Sequence, residues 1–214
     1  MIHLENVTAG TLRELSLEVG AGQVCRLTLS SHDMKDDLFA LFAGHIPPAR
    51  GRVRILGVDV YAQTELRRVE LYRRIGMVPE QGGLISNLKT WENILLPAWH
   101  HRKLDAAAAE PRVVALWREA DPGAGDLREI MGRPPDRLTT LERRLAALIR
   151  ALLPEPDLLV YDFLTAGLDV DVADRLLGLT QRFHGAKPGR VSVYLYPDDA
   201  ASEKIRADVV QRIG

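Results

Sequence analysis

The fold of this chain is decided by residues 138–169, LTTLERRLAALIRALLPEPDLLVYDFLTAGLD. Their first part predicts an amphipathic helix, because its apolar residues recur three and four positions apart. Pro154 and Pro156 end this helix. The apolar run at 158–161, closed by Asp162, then predicts a strand buried on both faces. Open α/β sheets bind ligands at the carboxyl ends of such strands, so Asp162 is a candidate site residue. The helical stripe consists of Leu141, Leu145, Leu148, Ile149 and Leu152.

Composition limits the classes of protein that need be considered. The 214 residues suffice for one sizeable core. The 28 basic and 29 acidic residues give a net charge of −1, which does not favour a nucleic-acid partner. Cys25 is the only cysteine and excludes an internal disulfide. No apolar run approaches the roughly 18 residues of a membrane-spanning helix. We therefore expect a soluble chain that reaches a membrane only through a partner.

The rest of the sequence predicts alternating strands and helices around this segment. An opening hairpin of two strands is joined by Ala9-Gly10-Thr11. Gly44 is predicted to end the first helix. The predicted strands are 2–7, 13–19, 23–29, 52–56, 75–78, 190–196 and 208–213. The predicted helices are 38–43, 66–74, 90–99, 105–120 and 170–184, and loops enclose a short piece at 126–131.

Acidic residues stand at the start of two predicted helices. Thr139 and Glu142 have the spacing of a capping box, in which each side chain accepts a hydrogen bond from the other residue's backbone N–H. At the first helix, Asp33, Asp36 and Asp37 are interpreted as capping and helix-dipole residues, in preference to metal ligands. Both helix starts are therefore expected to be occupied by side chains of the chain itself.

The central segment resembles the signature helix, Walker B strand and D-loop of an ATP-binding-cassette (ABC) ATPase. Residues 149–152, Ile-Arg-Ala-Leu, replace the usual Ala-Arg-Ala-Leu, and residues 166–169 match the D-loop, ending at Asp169. The resemblance covers nearly the whole chain in family order. It implies an α/β fold with a P-loop NTPase-like ABC ATPase core, meaning a mostly parallel sheet with helices and N-terminal antiparallel strands, plus a small α-helical subdomain. We expect one ABC ATPase-like domain over 1–214, with the core in 1–83 and 136–214 and the helical subdomain in 84–135.

The phosphate-binding positions of the family are altered in this sequence. Lys35 occupies the place of the P-loop lysine, but the glycine positions hold Leu29, His32 and Met34. Asp36 and Asp37 replace the Ser/Thr pair. A P-loop wraps backbone N–H groups around phosphate, which requires glycines, and a nearby carboxylate repels that phosphate.

The catalytic positions of the family are altered as well. Phe163 stands where the resemblance implies the catalytic glutamate, and Pro197, before a retained Asp198, stands where it implies the switch histidine. No catalytic residue is therefore expected. The hairpin loop carries no aromatic residue to stack on adenine.

Two further family motifs are changed. Thr139, Thr140 and Glu142 lie in the signature position, which has lost its glycines. The Q-loop glutamine falls on Glu80, with Gln81 one residue later. This difference is either a local shift or a loss, and we favour a loss.

Residues 84–135 contain the features that concern partners and metals. Leu84, Ile85, Leu88 and Trp91 lie where the family receives the coupling helix of a membrane subunit, although ordinary core packing is an equal alternative. The motif at 91–97, WENILLP, is similar to a helix start in Mla-like and other MCE-type lipid-transport cassettes. The run Trp99-His100-His101 has no third ligand at metal spacing, so no metal site is expected and we interpret it as a solvated helix end.

These observations predict a degenerate ABC transporter subunit, a pseudo-ATPase that binds a membrane subunit or a second cassette, as homodimer or heterodimer, without nucleic acid. Lys35, Asp36, Asp37, Glu80, Gln81 and Asp162 are then remnants of a nucleotide site. No cofactor is expected. The location expected is the cytoplasm, peripheral to the inner face of the membrane. One alternative is an active ABC ATPase in lipid or solute transport, with Mg-ATP as its ligand, and another is a free-standing scaffold or regulator with the ABC fold.

Overall fold

The computed structural model describes residues 1–100, 105–197 and 203–214. The chain divides into two compact units. The first contains residues 1–77, 157–163 and 187–214, and the second contains residues 78–156 and 164–186. The second unit is larger than the helical subdomain expected at 84–135, because the central helix and the helix after the D-loop belong to it.

The first unit opens with an antiparallel sheet. Its strands run in the order β2-β1-β4-β5, and the predicted hairpin is confirmed as the pair β1 and β2. Ala9 pairs with Leu12, so the strands continue closer to the turn than the sequence indicated. The strands are β1 (Ile2–Ala9), β2 (Leu12–Val19), β4 (Arg50–Ile55) and β5 (Val58–Asp59).

The second sheet carries the candidate site. Its strands run in the order β6-β7-β8-β3-β9, and β8 pairs in parallel with both β7 and β3. All five residues of β7 are buried, which confirms the strand predicted at 158–161 and its closing Asp162. The strands are β3 (Val24–Leu29), β6 (Ile75–Val78), β7 (Leu158–Asp162), β8 (Val191–Pro197) and β9 (Val209–Ile213).

Helix α1 (His32–Phe42) shares one hydrophobic core with side chains from both sheets. Its Leu38, Leu41 and Phe42 are fully buried. Gly44 ends the helix as predicted, at a φ of 74°. This φ strains any residue with a Cβ, and a Cβ there would also displace the Tyr72 hydroxyl, so the position favours glycine. The unit's other helix is α2 (Glu65–Tyr72).

The second unit is helical. Its central helix is amphipathic as predicted, with Leu145, Leu148, Ile149 and Leu152 buried at 0–1% exposure. Leu141, at its start, is half-buried. The helices are α3 (Thr90–His100), α4 (Ala106–Ala120), α5 (Leu127–Gly132), α6 (Thr140–Leu152) and α7 (Val170–Gly185). Within the described residues, none of the helices has the length and apolar character needed to span a bilayer.

Cys25 on β3 should be chemically inert in the folded protein. Its side chain is fully buried, and burial raises the pKa of the thiol to about 12. Because the thiolate is the reactive form, we expect no labelling by an aromatic disulfide reagent at pH 8 until a denaturant unfolds the chain. Labelling should then track unfolding measured by circular dichroism, and stoichiometric reaction of the native protein within minutes would contradict this burial.

Candidate functional site

The connection between β3 and α1 is much shorter than the sequence indicated. The helix begins at His32, six residues before the predicted Leu38, so only Ser30 and Ser31 separate it from β3. The prediction that aspartates cap this helix is therefore wrong. Ser31 is the N-cap, and its Oγ accepts a hydrogen bond from Met34 N at 3.2 Å. Serine caps a helix as well as aspartate does, so the helix can begin before the three aspartates.

Lys35 lies in an internal cluster of charges within the first unit. Its side chain is 5% exposed, and Nζ lies 3.3 Å from both carboxylate oxygens of Asp162 and 2.8 Å from Asp36 Oδ1. Asp162 is 4% exposed, whereas Asp36 is open to solvent. Two carboxylates thus offset the single positive charge of the lysine. The structure brings these three predicted residues together.

Phe163 also lies against this lysine. The Lys35 Nζ lies 4.9 Å from the centre of the Phe163 ring, and the His32 ring contacts the same side chain edge-on at 5.5 Å. Phe163 is 4% exposed and has a φ of 45°, the left-handed region that costs a non-glycine residue about 1–2 kcal/mol. It has no polar side-chain atom, so it cannot orient a water molecule as the family's glutamate does.

Asp37 is not part of the Lys35 cluster. It accepts hydrogen bonds from Thr11 N at 2.6 Å and from Thr11 Oγ1 at 2.7 Å. A Cβ on Gly10 would lie 2.3 Å from the Asp37 carboxylate, so this close approach requires glycine. Asp37 therefore ties the hairpin turn to α1. Among the described residues, no three acidic, histidine or cysteine side chains are grouped as a metal site.

Pro197 ends strand β8 and pairs in register with Leu29. It supplies no backbone N–H at this position. Asp198 and His101, which the sequence analysis also singled out, lie outside the described residues.

The signature position in the second unit is closed by the predicted capping box. Thr139 N donates to Glu142 Oε2 at 2.7 Å, and Glu142 N donates to Thr139 Oγ1 at 3.2 Å. Arg133 lies 3.5 Å from the same Glu142 carboxylate. Thr140, the first residue of α6, is exposed. The prediction that this helix start is satisfied by its own side chains is confirmed.

The segment similar to the Q-loop is held by two residues that the sequence analysis did not single out. Arg150 donates to Gly83 O at 2.8 Å and to Gly82 O at 3.0 Å, and burial lowers the pKa of its guanidinium. Asn93 is fully buried and bonds both the N–H and the C=O of Ile85. The only sequence signal for either residue was the family motif around it.

The two candidate Q-loop residues differ in exposure. Glu80 is half-buried, whereas Gln81 is exposed and forms no hydrogen bond within the part of the chain that the structure describes. Glu80 therefore holds the less solvated place of the two. The loss of the family's glutamine stays a prediction, because burial alone does not separate a loss from a local shift.

The candidate docking residues lie at the surface of the second unit. Ile85 is 42% exposed, and Leu84, Leu88 and Trp91 are half-buried. The alternative of ordinary core packing is therefore wrong for Ile85.

The D-loop ends at Asp169, which is exposed at the N-cap position of α7 without a side-chain capping bond. The backbone at the start of the D-loop is held by the buried Arg144. Its guanidinium donates to the carbonyl of Ala166, and to that of Leu164 just before the loop. Arg144 was another residue that sequence reasoning missed, because a carbonyl contact leaves no pattern in side-chain types.

Replacing Asn93 by alanine should destabilise residues 84–91, the docking segment that contains the candidate docking residues. Its amide also donates to Leu88 O and Lys89 O, at 3.2 and 3.1 Å. Because each buried group left without a partner costs about 1–3 kcal/mol, we expect the free energy of unfolding to fall by about 2–3 kcal/mol. The Ile85 amide should also exchange its hydrogen faster. Asn87→Ala, in the same segment but exposed, is the control, and equal effects of both variants would contradict the role of Asn93.

The first unit has two sheets and places the α1 lysine Lys35 against the strand-end acid Asp162, and the second unit is helical and bears the D-loop. Together these features define the class of ATP-binding-cassette folds. A family model described as "ABC transporter" matches residues 12–166. Because this match covers most of the sequence, the chain belongs to the ABC transporter family.

Individual relatives agree with this assignment. The chain is 30% identical to "Methionine import ATP-binding protein MetN" of Rhizobium meliloti, over 84% of this chain and 48% of MetN. It is 27% identical to "Intermembrane phospholipid transport system ATP-binding protein MlaF" of Haemophilus influenzae, over 80% of this chain and 63% of MlaF. The chain thus spans about half of MetN and under two thirds of MlaF.

A solved structure confirms the fold. The dimeric, post-hydrolysis state of the ATP-binding cassette MJ0796 bound to ADP and Pi matches with a TM-score of 0.86. The match covers 100% of this chain and 94% of that one, at 19% identity. The predicted α/β ABC fold is therefore correct.

Proposed function

We propose that this chain is a non-hydrolysing cassette subunit of an ABC transporter, retained for binding other subunits. The observation that carries the proposal is the internal neutralisation of Lys35. A P-loop lysine acts by offering its charge to phosphate, whereas this ammonium lies against two carboxylates and an aromatic ring. The charge is thus already matched within the protein.

The residues present do not fit Mg-ATP. The P-loop motif has about six positions from its first to its second glycine, whereas Ser30 and Ser31 alone connect strand and helix here. A phosphate drawing Lys35 away would also meet the Asp36 carboxylate, which stands where the family has a hydroxyl residue. A like charge about 4 Å away costs about 4 kcal/mol at an effective dielectric of 20. We therefore derive no hydrolytic step.

The proposed partners are a transporter's membrane subunit, a second cassette, or both. MetN and MlaF are named for import and intermembrane transport systems, and the MJ0796 structure is dimeric. By analogy, this chain would act at the inner face of a membrane, with the exposed Ile85 and its neighbours Leu84, Leu88 and Trp91 as the contact. The substrate would be a lipid if the partner system is of the Mla type.

Isothermal titration of the purified chain with Mg-ATP tests the proposal. We expect no saturable heat up to about 1 mM nucleotide, a concentration at which even a Kd near 1 mM would show. Micromolar binding would contradict the proposal. Loss of this binding in Lys35→Ala, in protein that circular dichroism shows to be folded, would then place the nucleotide at Lys35, whereas binding that survives the change would point to another site.

An active ATPase remains the second candidate, because Lys35 and Asp162 are retained side by side in a fold with a TM-score of 0.86 to a hydrolysing cassette. Release of inorganic phosphate from ATP, by the chain mixed with a membrane fraction that contains its partner subunit, would favour this candidate. Asp162→Asn, which keeps the shape of the side chain, should abolish any genuine turnover. Turnover unaffected by Asp162→Asn would come from a contaminant and would leave the pseudo-ATPase standing.

A further inference from the structure

A concave apolar pocket lies within the second unit, and of the residues described above it includes only Lys89 and Trp91. Its volume is about 440 Å³, in the range of about 300–1,000 Å³ that is typical of small-molecule sites. Val113 and Leu127 form part of its wall and are themselves almost fully buried. The walls are completed by side chains of α3, α4 and α5. The apolar lining includes Trp91, Val113, Val114, Leu127 and Met131.

Three exposed charged residues line the pocket, and their side chains are unpaired within the described residues. Lys89 and Arg128 line it together with one carboxylate, Glu110. None of the three side chains forms an ion pair or a side-chain hydrogen bond with the residues that the structure describes. Two cations and one acid therefore leave the pocket with a net positive charge beside an apolar wall.

We propose that this pocket binds an anionic amphiphile, a molecule with an acyl or alkyl chain and one carboxylate or phosphate head. The chain would lie against the apolar lining, where each buried methylene contributes about 0.8 kcal/mol. The head would pair with Arg128 and Lys89. This proposal does not depend on whether the protein hydrolyses ATP, because every residue concerned lies in the second unit.

The size of the pocket favours a small ligand over a protein partner. Ten residues line it, whereas a standard protein interface uses about 20–30 residues on each side. Trp91 belongs both to this pocket and to the proposed docking residues. A bound amphiphile would therefore change the surface that a partner subunit meets, and ligand and partner binding would be coupled.

Titration of the whole chain with dodecanoate, with dodecyl phosphate and with dodecyltrimethylammonium, each below its micellar concentration, tests the proposal by calorimetry and tryptophan fluorescence. We expect saturable one-to-one binding of the two anions and at least threefold weaker binding of the cation. Shortening the chain should weaken the anions by about fourfold for each buried methylene. Comparing the affinities of dodecanoate and dodecyl phosphate shows whether the pocket prefers a carboxylate or a phosphate head.

Variants then assign the binding to this pocket. Arg128→Glu, on an exposed side chain, should weaken the anions by about threefold to tenfold. Val114→Asp, on a side chain that is 40% exposed, should weaken them similarly without disturbing the core. Arg137→Glu is the matched control, since Arg137 is an exposed arginine of the same unit outside the pocket.

Three results would overturn the proposal. They are the absence of saturable binding, equal affinity for the cationic amphiphile, and affinity unchanged by both Arg128→Glu and Val114→Asp. If the first of these results is found and a membrane fraction protects Trp91, the pocket belongs to a protein partner. Nucleotide titration is a separate measurement, so failure here leaves the pseudo-ATPase proposal untouched.

Discussion

Lys35→Met is expected to lower the free energy of unfolding by about 3–5 kcal/mol, because it leaves the Asp162 carboxylate buried without this cation. In an ordinary P-loop the lysine serves a ligand, so its loss should affect nucleotide binding more than folding. A large loss of stability without nucleotide would therefore identify Lys35 as a structural residue. Urea unfolding followed by circular dichroism measures the change.

Two variants make this measurement specific. Lys35→Met combined with Asp162→Leu removes both charges and should recover most of the loss, since an apolar pair can replace a buried ion pair at little net cost. Lys187→Met removes a partner of Asp157 in a surface pair and should cost less than about 1 kcal/mol. If Lys35→Met were no more destabilising than Lys187→Met, the pair of Lys35 and Asp162 would not contribute to the free energy of unfolding as predicted.

Much of the fold was predictable because its signals are local in sequence. The apolar period of three and four fixed α6, and the unbroken apolar run fixed β7 as a doubly buried strand. The capping box was also legible, since Thr139 and Glu142 are three residues apart. Each of these features depends on neighbours within a few positions, which a sequence displays directly.

The start of α1 was mispredicted because two signals competed. The P-loop pattern, counted back from Gly44, placed a loop at residues 30–37, whereas Ser31 is a favourable N-cap residue that the sequence analysis did not consider. The structure resolves this competition in favour of the cap, since no glycine is present to open the loop. The contact between Asp37 and Thr11, 26 residues apart, could not be foreseen from spacing at all.

The contacts of the residues that hold the candidate docking segment could not be predicted from the sequence either. Arg150 reaches carbonyls 67 and 68 residues earlier in the chain, and such backbone contacts impose no pattern on their partners. Asn93 could be recognised only as part of a family motif. Sequence therefore predicted which positions of the family's nucleotide site carry altered residues, but not what those side chains contact instead.

Phe163→Ala should lower the free energy of unfolding by about 3–5 kcal/mol, the usual cost of removing a buried phenylalanine. Phe163→Gly should be about 1 kcal/mol more stable than Phe163→Ala, although it removes one more carbon, because only glycine adopts a φ of 45° without strain. This reversed order separates backbone strain from lost packing. Thermal and urea unfolding of both variants give the comparison.

Tyr194 provides the matched pair, since it is a buried aromatic residue of β8 whose backbone lies outside the left-handed region. There Tyr194→Gly should be about 0.5–1 kcal/mol less stable than Tyr194→Ala, the ordinary order within a strand. The same order at Phe163 would mean that its backbone is relaxed in solution. If Phe163→Gly is instead more stable than Phe163→Ala, the backbone at Phe163 is strained in the folded protein. This strain would then accompany the contact between the Phe163 ring and Lys35, at the position of the family's catalytic glutamate.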